Sequence, residues 1–310
     1  MSVQHESRQR VPSIQLFLRA SSIDLNSAGP CPLSQKWAIF FTCLARRGLI
    51  KLDIVPVLLN KQCELYSKLN CSRYLPVVGF YQETTTEPRN LPDVIADSDD
   101  AIERLILNWN SDLIDLESRE FQDVTGTLLR NLNQYLKTDQ KKPIVRDIMR
   151  INVFLSKLQT KFIQWDELSY SDCILAPKLH HIKILGGFFN ENLITNQMTS
   201  IIAYLKSIYA VESFIDIVPF DLDVLNHYRS RIGPNLDGKL NEIIKECMKK
   251  SQKMRTLDLY EENVNSSSHG DLGCSEDILS LHSSLKGFFQ RNLNSPPPGA
   301  EDDIDECPFS

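Results

Sequence analysis

The sequence lacks the basic stripe that binding to a phosphate backbone requires. Its 34 Lys and Arg stand against 40 Asp and Glu, a formal charge of −6, so nucleic acid is not expected among its partners. Eight cysteines are present, Cys31, Cys43, Cys63, Cys71, Cys173, Cys247, Cys274 and Cys307, but no Cys-x-x-Cys pair and no Cys/His group at zinc spacing, so no metal is expected. Met1 to Pro12 is polar and has no apolar signal core. The expected compartment is therefore the cytosol, with thiols reduced and mostly buried as small hydrophobes. No internal repeat is evident either.

What remains is an ordinary globular composition, 42% apolar over 310 residues, enough for one large or two ordinary domains with real cores. The charge is uneven. Residues 261–310 hold ten acids against Lys286 and Arg291, so the acidity belongs to the tail and the body is close to neutral.

Ser13 to Arg19 alternates apolar and polar residues as a strand, SSIDLNSAGP is turn-rich, and the run from Pro32 reads as a helix. Lys51–Leu58 is a second strand, Lys61–Leu69 a short helix, Val77–Phe80 and Val94–Ala96 two further strands, and Asp100–Leu107 a helix. That order predicts a thioredoxin-like α/β domain over 13–108, after a flexible 1–12. From Asp112 strand signals stop. Helical spacing predicts segments at Asp112–Leu136, Pro143–Leu158, Ser171–Leu185, Gln197–Tyr209 and Asp221–Tyr228, an all-α domain over 109–231. One more helix is expected within 232–260, at Leu236–Lys250. Residues 261–310 are expected to be disordered apart from an apolar patch, Ile278–Phe289.

The sharpest chemical feature is Cys31-Pro32-Leu33-Ser34, which follows a strand and a loop and opens a helix. Unpaired N–H groups and the helix dipole favour a thiolate at that position, so Cys31 is the candidate nucleophile for disulfide exchange. Ser34 stands where a dithiol motif has its second cysteine, which suits monothiol exchange with glutathione. An inert buried cysteine is the other reading. Leu75-Pro76 comes immediately before a strand, some forty residues after the thiol. A cis bond there turns the preceding backbone polar groups toward an extended peptide such as glutathione, whereas an ordinary trans proline would simply start an edge strand. Asp97-Ser98 precedes a helix and serves either as a cap or as a holder of the tripeptide's γ-glutamyl end. Ser169-x-x-Asp172 has the capping-box pattern, and Cys173, His180 and His181 read as packing or surface residues.

Four strings, LFLRASSID…GPCPLSQK, YLPVV, YSDCILAPKLHHIKI and DLDVLNHYRSR, are together similar to the chloride intracellular channel (CLIC) family, nearest to its invertebrate members. The similarity spans Ser13 to Arg231. It implies a glutathione transferase-like fold and a protein that is monomeric when soluble. It also implies a glutaredoxin-like site to which Cys31 corresponds, and glutathione or glutathionylated thiols as partners. For this family, insertion into membranes under an acid or redox trigger, with anion conductance, is proposed; lipid and chloride are then conditional partners and membrane association is conditional. The corresponding stretch is Cys31–Val57, with Trp37, Ile39, Phe40, Phe41 and Leu44 as its apolar residues. A spanning helix needs about twenty mainly apolar residues, and Lys36, Arg46, Arg47, Lys51 and Asp53 interrupt or flank this one. A core helix is the first expectation, with protonation of carboxylates such as Asp53 as the expected acid trigger. Three functions stay open: a conditional anion channel, a glutathione-dependent thiol oxidoreductase, and a non-enzymatic scaffold.

Overall fold

The computed structural model describes residues 11–58, 64–71, 74–82, 91–114, 118–189, 193–234, 236 and 253–257. The expected helix at Leu236–Lys250 and the tail from 261 lie outside them, as do nearly all of residues 1–12.

Four strands, β1 (Ser13–Arg19), β2 (Lys51–Val57), β3 (Val77–Tyr81) and β4 (Val94–Ala96), form one sheet in the order β2-β1-β3-β4. β2 runs parallel to β1, reached through helix α1 (Pro32–Arg46), while β3 is antiparallel to both β1 and β4. The period-2 alternation divides β1 between the two faces of the sheet. Ile14, Leu16 and Leu18 join the main core with Val78, Phe80 and Ala96. Phe17 points the other way and packs with Val57 and Val77 and with Tyr66 and Leu69, contributed by helix α2 (Glu64–Lys68) and the residue after it. Helix α3 (Asp99–Trp109) completes this thioredoxin-like half, burying Ile102 and Ile106.

Among its described residues the second half holds helices and loops but no strand: α4 (Arg119–Thr125), α5 (Leu128–Thr138), α6 (Lys141–Ser156), α7 (Tyr170–Phe188), α8 (Thr199–Ile208), α9 (Glu212–Ile215) and α10 (Asp221–Tyr228). The single helix expected at Asp112–Leu136 is instead a 3-10 turn at Ser111–Leu113 followed by α4 and α5. Short polar side chains cap the starts of the 3-10 turn and of α4. Asn110 Oδ1 accepts from the Asp112 N–H and Ser118 Oγ from the Phe121 N–H, each at 3.1 Å, offering the backbone an alternative to a continuing helix.

α7 is buried on nearly all sides. Ser169 and Asp172 form the reciprocal capping box at its start, and Asp172 also accepts from the Ile163 N–H at 3.1 Å and the Tyr204 hydroxyl at 2.9 Å. α1 lies against it: the Trp37 ring packs tilted and the Phe40 ring edge-on against Tyr170, with centroids 5.6 and 5.5 Å from its own. Trp37, Ile39, Phe40, Phe41 and Leu44 are all buried, in a core cluster that runs unbroken from β1 to α10. Burial of that aromatic face stabilises the contact by roughly 3–5 kcal/mol for each Trp or Phe, taking the cost of truncation to Ala as the guide. Asp53, by contrast, is exposed on the outer strand β2, where it accepts from Gln15 Nε2 at 3.2 Å. It therefore lies apart from the contact between the halves, and the expectation that it is the acid trigger is not met by its position.

Acid sensitivity resides instead in histidines. His180 and His181 on α7 are fully buried, with Nδ1 against the hydroxyls of Tyr209 at 3.0 Å and Tyr228 at 3.1 Å. Burial, with the Lys183 charge second, pushes His180 down to about 3. Burial, followed by the charges of Arg231 and Arg19, does the same to His227. His181 is driven well below its ordinary value by burial and by its neighbours His227 and His180. An unfolded chain binds these protons near 6.5, so the stability of the neutral histidines is complete above that value and is lost progressively as pH falls toward about 3. Asp172 and Asp221, whose pKa values burial raises, act in the opposite sense and gain as pH falls. Each histidine costs up to about 1.4 kcal/mol per pH unit. The urea midpoint should therefore fall steeply between pH 6.5 and 5. A midpoint flat over that range contradicts neutral imidazoles at His180, His181 and the half-buried His227.

Candidate functional site: a thiol at the end of the sheet

Strand register gathers the candidate residues at one place. Arg19 pairs with Val57, Phe17 with Val77 and Val78 with Ala96. The C-terminal ends of β1, β2 and β4 and the N-terminal end of β3 therefore share one sheet end. The loop leading to Cys31, the Leu75–Pro76 step and Asp97-Ser98 all leave from that end, and Leu75–Pro76 is cis.

The loop that delivers Cys31 is fixed from outside its own domain. Asp223, buried in the first turn of α10, accepts from the Ser21 hydroxyl, from the Ser22 N–H at 2.8 Å and from the Ser22 hydroxyl at 2.6 Å. Ser21 Oγ in turn accepts from the N–H groups of Ile23 and Asp24 at 3.0 and 2.9 Å, closing a turn. Gly29 ends the loop with its N–H donating to the Arg19 carbonyl at 2.7 Å. A Cβ at Gly29 would lie 2.7 Å from the Arg19 carbonyl oxygen and 2.9 Å from that of Ala20, so no larger residue fits without moving backbone. Pro30-Cys31-Pro32 then enters α1, with Cys31 in extended conformation at the cap, Pro32 in the first turn and the Gln35 N–H donating to the Cys31 carbonyl at 2.9 Å.

Cys31 is half-buried and not in a disulfide. Cys43, Cys71 and Cys173 are not in disulfides either, and burial raises the pKa of each, that of Cys173 well above its ordinary value. Leu33 packs on the core. Ser34 is buried, with no hydrogen-bond partner for its hydroxyl among the described residues. Ser98 caps α3, its Oγ accepting from the Ala101 N–H at 3.2 Å.

One turn beyond the thiol, Lys36 is buried within the apolar run and forms an ion pair with Asp99 in the first turn of α3. Trp37 Nε1 donates to the same carboxylate at 2.7 Å, and the ammonium lies 4.4 Å from the Trp37 ring centroid. Lys36 also donates to the Tyr170 hydroxyl at 3.3 Å, which donates to Glu103 at 3.4 Å. Thus α1, α3 and α7 are joined by one polar network beside the site, and Asp99 is neutralised. Sequence reasoning missed Asp223, Gly29 and the Lys36–Asp99 pair. The signals were a Ser-Ser-x-Asp turn and a lone cation inside an apolar helix, both of which need a partner distant in sequence to be interpreted.

Asp223→Ala strands three donors, of which the Ser21 hydroxyl is buried and the two of Ser22 are partly so. It should destabilise the protein by roughly 2–4 kcal/mol and accelerate thiol labelling at Cys31. Asp216→Ala, which removes an exposed partner of Arg46, should cost under about 1 kcal/mol. Urea titration and labelling mass spectrometry on both variants test this; equal effects contradict the anchoring role.

No family model matches the chain. The Chloride intracellular channel Clic of Drosophila melanogaster is 28% identical over 240 residues, covering 72% of this chain and 84% of that protein. Among solved structures, the CLIC homologue EXC-4 of C. elegans superposes with a TM-score of 0.61 at 18% identity, over 77% of this chain and 97% of that one. Chlamydomonas reinhardtii dehydroascorbate reductase superposes with a TM-score of 0.56 at 14% identity, over 71% and 98%. With a four-stranded mixed sheet, a thiol at the head of α1 and a helical second half, the chain is similar in sequence to chloride intracellular channel proteins and shares the fold of EXC-4 and the dehydroascorbate reductase.

Proposed function

We propose that Cys31 is the nucleophile of a glutathione-dependent thiol exchange site. The observation that carries this reading is the placement of a half-buried thiol at the head of α1, on the sheet end shared with Leu75–Pro76 and Asp97-Ser98. Backbone N–H groups of the first helical turn and the positive end of the helix dipole favour the thiolate there. In the exchange, the Cys31 thiolate attacks one sulfur of glutathione disulfide. A Cys31–glutathione bond forms, the original S–S bond breaks, and the second glutathione leaves as thiolate. A further glutathione thiolate reverses the step, and with Ser34 in place of a second cysteine the mixed disulfide cannot resolve within the motif. Pro32 and Leu33 line the groove, the Leu75 main chain pairs with the extended tripeptide, and Asp97 and Ser98 face its γ-glutamyl end. The dehydroascorbate reductase that shares the fold is by its name a redox enzyme, which agrees with this reading.

The name of the Drosophila relative motivates a second reading, conditional membrane association with chloride conduction. Among the described residues no helix is long and apolar enough to cross a membrane. The apolar residues of α1 face α7, and Arg46 and Arg47 are tied to Glu212, Asp216 and Glu167. Exposure of α1 to lipid therefore requires its release from α7, and the neutral histidines of α7 and α10 make acid the agent of release.

One series of measurements tests both readings. Exposure of the full chain to glutathione disulfide should give a single mixed disulfide, on Cys31, absent in Cys31→Ser; no adduct, or an adduct mainly on Cys43 or Cys71, overturns the exchange site. In flotation with anionic vesicles, the protein should bind at pH 5 and not at pH 7. Binding at neither pH overturns the membrane reading and leaves the thiol site standing.

A further inference from the structure

α6 presents a second surface far from the thiol in the chain. Its inner face, Ile144, Ile148, Ile151 and Leu155, is core. Its outer face carries Val145, Met149 and Val153 at i, i+4 and i+8, a single row on a helix, with Met149 57% and Val153 55% exposed. A parallel row at the same spacing, Lys142, Arg146 and Arg150, runs beside it. Together with Val124 of α4 and Phe154 these residues line a groove of about 720 Å³, in which Glu120 is paired with Lys157 at 2.7 Å and Asp123 is the other acid against Lys142, Arg146 and Arg150. An apolar row beside a cationic row selects a ligand with apolar anchors at helical spacing and an anionic flank.

The chain carries such a segment. In the stretch 276–289, EDILSLHSSLKGFF, Ile278, Leu281, Leu285 and Phe288 recur at i, i+3, i+7 and i+10, preceded by Glu276 and Asp277, within a region of ten acids and two bases. We propose that the α4–α6 groove is the docking site of residues 276–289 of the same chain, with the apolar row on Val145, Met149 and Val153 and the acids toward Arg146 and Arg150. The tether permits it. Thr256, held by Asp221 and Lys183, is about twenty residues upstream of Ile278. A chain of that length can span up to about 70 Å, more than the roughly 45 Å across a body of this size. The tether also sets an effective concentration on the order of millimolar, so a segment with modest intrinsic affinity is mostly bound within its own chain. Docking covers the exposed Met149 and Val153 and places anionic residues over the largest basic row of α6.

The test uses the full-length chain with a benzophenone amino acid at Leu281. On irradiation, cross-links should form within one chain to the peptide that contains Val145–Val153. The pair Lys142→Glu with Arg150→Glu, both exposed and neither paired with a buried carboxylate, should cut that yield at least ten-fold. Cross-links to another surface, cross-links that form only between chains, or a yield unchanged by the charge reversal would each overturn the proposal.

Discussion

The contact between α1 and α7 is the constraint from which the other features follow. α1 has two ends with two tasks. Its N-terminus must present a thiol to solvent, and its middle must fill a core made largely by a helix about 130 residues further along the chain. Because Trp37, Phe40 and Phe41 are locked among Tyr170 and its neighbours, the direction of α1 is set by the helical half. The sheet contributes the other boundary through Ile14, Leu16 and Leu18. Apart from the small cluster that Phe17 forms with Val57, Val77, Tyr66 and Leu69 on the opposite sheet face, the core of the thioredoxin-like half is shared with the helical half.

Polar groups buried along that contact determine how it responds to its surroundings. The Lys36–Asp99 pair and the Asp223–serine cluster are satisfied by several partners each, which is the condition under which a buried charge is tolerated. Both fix geometry near Cys31, one from α3 and one from α10. The imidazoles of α7 are different. Their Nδ1 atoms are matched to tyrosine hydroxyls, but the Nε2 atoms of His180 and His181 have no partner among the described residues. A proton added there has nothing to compensate it. The same fold is therefore rigid around the thiol at neutral pH and vulnerable to acid at the helix on which α1 rests.

Much of this was legible in the sequence because it is local. Strand alternation in Ser13–Arg19, Pro32 at a helix start, the Ser169/Asp172 box and the span of α10 are decided by neighbours within a few residues. The failures are of two kinds. The separate start of α4 within Asp112–Leu136 depends on Ser118 winning a close competition for the Phe121 N–H, which apolar spacing does not register. The partners of Asp223, Lys36 and the buried histidines lie on other elements, so their roles depend on tertiary placement. Asp53 shows the same limit in reverse: a carboxylate inside a suspected functional stretch is solvent-exposed, whereas the acid-sensitive groups are His180 and His181, offered by the sequence only as packing or surface residues, and His227, which it did not single out.

The central claim is that α1 belongs to the core of the helical half as much as to its own domain. Native-state hydrogen exchange resolved to single amides measures this directly. The account predicts that amides of α1 between Trp37 and Leu44 open with the same free energy as those of α7 between Leu175 and Leu185, within about 1 kcal/mol, as members of one cooperative unit. If α1 exchanges through openings several kcal/mol cheaper than those of α7, the halves are separate cooperative units and the shared core does not govern the site.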